Sequence, residues 1–183
     1  MLSVHFLLIL GHIIGTILGV GGATMIEVHL NKALRDGTMD STERSFLGAD
    51  FFMTRIGMAL GLFTGIGFII EYWMIDQLFR LNSGMFWAKM LIFVIIVVNA
   101  YLLHKHKIGL YWGSAFSFVS WWSAMLIGTF LTNGVSVLPG QTFISFISIM
   151  GVYAVTVLVG AQLLHRIREH FKAPSTPKTI STP

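Results

Sequence analysis

The stretch that decides the fold is Leu10-Gly-His-Ile-Ile-Gly-Thr-Ile-Leu-Gly-Val-Gly-Gly-Ala-Thr-Met-Ile-Glu27, which lies inside the apolar run Val4–Leu30. This run is long enough to cross a bilayer as one helix. An ionisable side chain at membrane depth costs roughly 2–3 kcal/mol or more unless the protein uses it. His12 lies well inside the run, so it is the first candidate functional residue.

The composition is that of an integral membrane protein. Of the 183 residues, 55% are hydrophobic and 11% are charged, whereas a soluble domain carries about 25% charged residues. No basic segment precedes the first apolar run, so we expect an uncleaved first span. The chain has no cysteine, which excludes disulfides, thiolate metal sites and cysteine nucleophiles.

Five apolar runs reach the length of about 20 residues that a spanning helix needs. They are Val4–Leu30, Phe46–Ile70, Met85–Leu103, Leu110–Leu131 and Thr142–Leu164. The sequence therefore predicts an all-α fold, a bundle of five transmembrane helices that forms a single domain over residues 1–172. Residues 173–183 are rich in proline, serine and threonine, which predicts a disordered cytoplasmic tail.

The distribution of lysine and arginine predicts the orientation. Nine of these residues fall on one side of the spans, and only Arg80 and Lys89 fall on the other. Basic residues concentrate on the cytoplasmic side of membrane proteins, so we expect the N-terminus outside and the C-terminus inside. The formal charge of +4 is explained in this way, without a nucleic-acid partner. The expected location is the inner or plasma membrane, with the lipid bilayer as the main partner.

Small residues at intervals of four predict close helix packing, because they let two helix backbones approach each other in lipid. The first and second helices carry two such series: Gly11, Gly15 and Gly19, and Gly57, Gly61 and Gly65. We therefore expect these helices to form a tight antiparallel pair.

Two polar sets lie at membrane depth. In the outer half, a rise of about 1.5 Å per residue places His12 roughly 13 Å and Lys89 roughly 6 Å below the surface, with His5 two turns before His12. His12 has three interpretations: a hydrogen bond to a carbonyl, a metal or haem ligand, or a proton relay. The inner half holds a second cluster, which we interpret as a structural clamp in which Arg55 pairs with an anion: Glu27, Asp50, Arg55 and Asn99.

Three short motifs resemble the CopD/HemJ superfamily of small membrane proteins: Gly11-His12-Ile13-Ile14-Gly15, Gly21-Gly22 and Phe86-Trp87-Ala88-Lys89-Met90-Leu91. The match covers roughly the first three helices and is closest to uncharacterised members. The resemblance implies that His12 and Lys89 take part in haem b binding and in an oxidoreductase activity like that of protoporphyrinogen oxidase. The expected cofactor-binding set is His12, Lys89, His5 and Trp87, with His12 as the metal ligand.

Three functional hypotheses follow. The first is a haem- or metal-binding redox protein with its site in the outer half of the bundle. The second is a transporter for a small ion, copper or a proton, that uses the His5–His12 column and the Glu27/Arg55 set as a polar path. The third is a non-catalytic assembly subunit, as a homo-oligomer or in a larger membrane complex, in which the glycine series are the main feature.

Overall fold

The computed structural model describes residues 3–33, 39–133 and 141–171. These residues form one short 3-10 helix, Leu78–Leu81, and five long helices: α1 (Val4–Ala33), α2 (Ser41–Met74), α3 (Gly84–His104), α4 (Leu110–Thr132) and α5 (Thr142–Phe171). All five are long and apolar enough to cross a membrane. The prediction of five apolar helices is confirmed, and the predicted tail, residues 173–183, lies outside the described residues.

All five helices extend at least one residue beyond the apolar runs, and α2 and α5 extend furthest because polar residues continue them. α2 begins at Ser41 instead of Phe46 because Asp40 caps it: the Asp40 side chain accepts a hydrogen bond from the Glu43 amide, and the Glu43 side chain accepts one from the Asp40 amide. This reciprocal capping box satisfies two donors that the helix leaves free. α5 continues seven residues beyond Leu164 and so brings Arg168 against the bundle.

The helices expose large apolar side chains on their outer surfaces. Phe63, Phe143 and Val152 are 71%, 75% and 68% exposed. Monomeric soluble proteins rarely expose extended apolar patches, whereas a lipid-facing surface requires them. With five helices of spanning length, this pattern is that of a multi-pass membrane protein.

α4 lies at the centre of the bundle. It packs against α1, α3 and α5, while α2 packs mainly on α1 and has no comparable interface with α3. The core joins residues of α1, α3, α4 and α5: Val20, Ala23, Ile92, Ile96, Val119, Trp121, Ala124, Tyr153 and Val157. Because α2 contacts α1 rather than α3, a groove runs between α2 and the α3–α4 hairpin.

The bundle has two ends, which we name by charge. The basic end is where α1 finishes, α2 begins and α3 is joined to α4, next to Lys105 and Lys107. The opposite end is where α1 begins and where α3 and α5 also begin.

Glycines bring the backbones of α1 and α2 together. A Cβ atom added at Gly57 would lie 2.5 Å from the Gly19 nitrogen and 2.7 Å from the Gly15 carbonyl oxygen. Gly19 also faces the Trp121 ring of α4. Any side chain at Gly57 would therefore push the helices apart, and Gly15, Gly19 and Gly57 form the contact.

The other glycines of the two predicted series have different neighbours. Gly11 packs against Thr64 of α2, and Gly61 faces Phe93 of α3. Gly65 is not part of an interface with the described residues, because none of their atoms lies within 4 Å of an added Cβ atom. Gly22, which the interval of four does not include, packs against Thr54.

A Gly57→Ala substitution tests the α1–α2 contact. We expect it to lower the free energy of unfolding by about 1–3 kcal/mol, because the methyl group meets fixed backbone atoms. The measurement is the thermal unfolding of the detergent-purified protein, followed by circular dichroism. Gly65→Ala is the matched control on the same helix and should be neutral or slightly stabilising. Equal losses in both variants would contradict this contact.

Candidate functional site

His12 of α1 and Lys89 of α3 lie side by side in the half of the bundle near the opposite end. Lys89 Nζ is 3.1 Å from His12 Nε2, and His12 Nδ1 is 2.8 Å from Thr64 Oγ1 of α2. The Thr64 hydroxyl also lies 2.7 Å from the Leu60 carbonyl oxygen. Three helices therefore contribute to one hydrogen-bonded chain.

The partners of His12 assign its tautomer. An ammonium group only donates, so His12 Nε2 accepts from Lys89. Nδ1 then carries the proton and donates it to Thr64 Oγ1, whose own proton goes to the Leu60 carbonyl. The protons of His12 Nδ1 and Thr64 Oγ1 thus each meet an acceptor, and Lys89 directs one of its protons to His12 Nε2. His12 is thus a neutral imidazole that holds the lysine amine in place.

A cavity of about 220 Å³ opens beside the His12–Lys89 pair. Its polar lining consists of these two residues and three threonines: Thr16, Thr129 and Thr132. Its apolar lining comes from α1, α3 and α4: Ile13, Ile17, Phe93, Trp121, Ala124 and Met125. No aspartate or glutamate lines it among the described residues. The cavity thus combines one cationic group, several hydroxyls and apolar walls.

Two glycines make room for this arrangement. A Cβ atom at Gly128 of α4 would lie 2.9 Å from Lys89 Nζ, and one at Gly61 of α2 would lie 3.1 Å from the Phe93 ring. Trp121 also lines the cavity, and its buried Nε1 has no hydrogen-bond partner among the described residues. Buried donors are nearly always paired, so an acceptor near Trp121 would satisfy an otherwise unpaired group.

The remaining two residues of the predicted cofactor set lie outside the cavity. His5 Nδ1 is 2.8 Å from a Glu71 carboxylate oxygen, and the Phe68 ring contacts both His5 and His12. Trp87 is 53% exposed and contacts the neighbouring Phe86 ring. The structure therefore brings together His12 and Lys89 but leaves His5 and Trp87 apart from them.

At the basic end, Glu27 of α1 pairs with Arg168 of α5. Arg168 also donates to the Asn31 side chain at 3.1 Å, to the Tyr111 carbonyl at 2.6 Å and to the Ser114 hydroxyl at 3.2 Å. Its guanidinium lies 4.2 Å from the Tyr111 ring centroid. The Arg168 side chain is fully buried and ties α5 to α1 and α4.

The predicted clamp around Arg55 does not form. Glu27 is taken by Arg168, and Asp50 Oδ2 lies 2.5 Å from His29 Nδ1. Asn99 donates to the Gly113 carbonyl at 2.9 Å and so joins α3 to α4. Arg55 is exposed and has no ion pair among the described residues. Its side chain lies on the α2 face that borders the groove, away from both carboxylates.

Arg168 is the residue that sequence reasoning missed. Arg168 lies beyond the apolar run. The sequence therefore groups it with the basic residues that predict orientation and not with the residues that pack inside the bundle. A signal was present: Tyr153, Val157 and Ala161 recur every four residues on the buried face of α5, and Arg168 falls seven residues further on the same face.

The residues present do not fit haem b or a three-ligand metal centre. A haem needs a free imidazole nitrogen, and both nitrogens of His12 have partners. The cavity of about 220 Å³ is below the roughly 300–1,000 Å³ of sites for drug-sized ligands, and a haem exceeds most such ligands. No group of three His, Cys, Asp or Glu residues that could hold a metal occurs in the described part of the chain.

An Arg168→Met substitution tests the buried ion pair. We expect it to lower the free energy of unfolding by about 3–5 kcal/mol, because it leaves the Glu27 carboxylate buried without a cation. The measurement is SDS-induced unfolding of the protein in detergent micelles.

Two further variants complete this test. Arg166→Met removes an exposed arginine of the same helix and should change stability by about 0.5 kcal/mol or less. Adding Glu27→Gln to Arg168→Met should recover part of the loss, since no buried charge remains. Equal losses for Arg166→Met and Arg168→Met would contradict the role assigned to the pair.

Comparisons with known proteins find no match among protein-family models, curated proteins or solved structures. The functional assignment therefore rests on the geometry of this chain's own residues.

Proposed function

We propose that this protein binds a small anionic amphiphile, a molecule with a carboxylate joined to an apolar body, in the cavity beside His12 and Lys89. The observation that supports this is the Lys89 amino group beside a cavity with no carboxylate among its described lining residues. A cation at membrane depth calls for an anion or for several acceptors. Among the residues that the structure describes, the neutral His12 imidazole is the one side-chain hydrogen-bond partner of Lys89.

The residues around the cavity have different roles in the proposed binding. Lys89 pairs with the carboxylate, because charge-assisted hydrogen bonds are the strong ones in a water-poor site. His12 keeps the Lys89 amine directed to one place, since its own orientation is set by Thr64. The rings of Phe93 and Trp121, which lie edge to face with centroids 6.2 Å apart, supply an apolar wall. This combination of apolar walls and a few polar groups is typical of small-molecule sites.

The other hypotheses stay predictions. Haem b binding requires His12 to exchange Lys89 for iron and requires the cavity to widen. Transport of copper or a proton requires a polar path, and the Phe68 ring lies between His5 and His12. An assembly role, in a homo-oligomer or a larger complex, rests on the glycine contacts, but these are used within the chain at Gly15, Gly19 and Gly57.

We further propose that the chain lies in the cell membrane with its basic end in the cytoplasm. The exposed lysines of the α3–α4 connection, Lys105 and Lys107, support this, because basic residues near span ends favour the cytoplasmic side. The N-terminus is then outside, and the His12–Lys89 cavity belongs to the outer half of the membrane.

Binding of 4-bromobenzoate tests the proposed site. We expect this aromatic carboxylate to quench tryptophan fluorescence of the detergent-purified protein, since Trp121 lines the cavity. Lys89→Met should weaken binding tenfold or more, as a hydrogen bond to a charged group contributes about 1.5–3 kcal/mol. The measurement is the dissociation constant from the quenching curve.

The controls separate this site from general binding. Lys107→Met removes an exposed lysine at the basic end and should leave the dissociation constant unchanged. 4-Bromobenzyl alcohol, which lacks the carboxylate, should bind wild type and Lys89→Met equally. Equal weakening in both lysine variants would overturn the proposal. A Soret absorption band that disappears in His12→Ala would replace it with haem binding.

Two single-cysteine variants test the orientation, and the absence of native cysteine makes the labelling specific. A membrane-impermeant maleimide added to intact cells should label Asn133→Cys, at the opposite end, and should leave Lys105→Cys unlabelled. The reverse pattern would show that the basic end faces outward.

A further inference from the structure

A second cavity, of about 350 Å³, lies in the groove between α2 and the α3–α4 hairpin, near the basic end. α2 contributes one face to it, through residues spaced three and four apart: Phe51, Thr54, Arg55 and Met58. The α3–α4 hairpin forms the other side, with Ala100, Leu103, His104, His106, Ile108, Leu110, Ser114 and Ser117. The lining is therefore apolar along most of its length, with a cation and two histidines in it.

Arg55 is the cation of this cavity, and no carboxylate of the described residues forms an ion pair with it. The two carboxylates that the sequence offers as its partners are both occupied, Glu27 by Arg168 and Asp50 by His29. Arg55 is exposed and lines the cavity without an ion pair among the described residues. An arginine within an apolar helix is costly unless it pairs or reaches the interface.

The neighbours of Arg55 favour an anion. His104 and His106 are exposed and line the same cavity. The described lining contains no aspartate or glutamate. His104 ends α3, and His106 follows in the turn with a φ of 53°, so the short connection places both rings on the groove side of the hairpin. One fixed positive charge thus lies beside two polar rings that can donate to an anion.

We propose that this cavity binds the headgroup of an anionic phospholipid, with its phosphate on Arg55 and the first part of an acyl chain between α2 and α3. The cavity is too small for a whole phospholipid, so the remaining acyl chain stays in the bilayer. Basic pockets between helices on the cytoplasmic side are suited to such headgroups. A guanidinium also matches phosphate through paired hydrogen bonds. The lipid site is separate from the His12–Lys89 cavity and does not depend on the ligand proposed there.

Native mass spectrometry of the full chain tests this proposal. Dioleoylphosphatidic acid is added to the delipidated protein in detergent, and the lipid-bound fraction is measured. Arg55→Met should lower the apparent affinity about fivefold, the effect of removing one basic residue at an anionic lipid surface. Ala100→Leu, which fills the apolar part of the cavity, should lower it as well while leaving Arg55 in place.

The controls distinguish a built site from simple charge attraction. Lys105→Met removes an exposed charge from the same end without touching the cavity lining, and should change the affinity less than about twofold. Dioleoylphosphatidylcholine should bind more weakly than phosphatidic acid, and inorganic phosphate should not compete at equal concentration. The proposal is overturned if Arg55→Met and Lys105→Met lose affinity equally. It is also overturned if the zwitterionic lipid binds as well, or if phosphate alone displaces the lipid.

Discussion

The contact between the backbones of α1 and α2 is the interaction that positions α2, which orients His12 through Thr64 and forms one side of the larger cavity. Gly15 and Gly19 of α1 face Gly57 of α2 without intervening side chains, so α2 stays on the outside of α1. α4, not α2, then occupies the centre of the bundle. The gap between α2 and the α3–α4 hairpin is the consequence, and the larger cavity lies in it, whereas the smaller cavity lies mainly between α1, α3 and α4. In lipid, where apolar surface gives helices little reason to associate, such close packing is the main source of helix affinity.

Water is absent from the hydrocarbon region, so every buried polar group needs a partner within the protein. The chain meets most of this requirement with short local networks that link pairs of helices, and Trp121 Nε1 and Glu27 Oε1 are left without a partner among the described residues. Ser120 of α4 lies 2.8 Å from the Tyr153 hydroxyl of α5, and Asn99 of α3 donates to the Gly113 carbonyl of α4. These bonds hold the central helices in register without any charge.

The sequence predicts the fold well and the pairing of side chains less well. The apolar runs are sufficient to predict the five helices, because the length and hydropathy of a spanning helix can be determined from each segment by itself. Hydropathy does not predict the capped start of α2 or the polar end of α5. Asp40 and Arg168 are stabilised there by particular side-chain contacts. Depth estimates place His12 and Lys89 in the same half, but their contact depends on the rotation of α1 and α3 about their axes. Periodicity within one helix does not determine that rotation.

Arg168, Lys89 and Arg55 lie within the described helices and differ in how many partners the protein gives them. This difference distinguishes a residue that holds helices together from one that is available to a ligand. Arg168 has a carboxylate, an amide, a carbonyl and a hydroxyl as partners, so four of the five N–H groups of its guanidinium are paired and its role is to hold helices together. Lys89 has one neutral partner side chain and a cavity beside it. Arg55 has no ion pair among the described residues and a larger cavity. Since an uncompensated charge near hydrocarbon is costly, the last two are the positions where an anion from outside the chain lowers the free energy most.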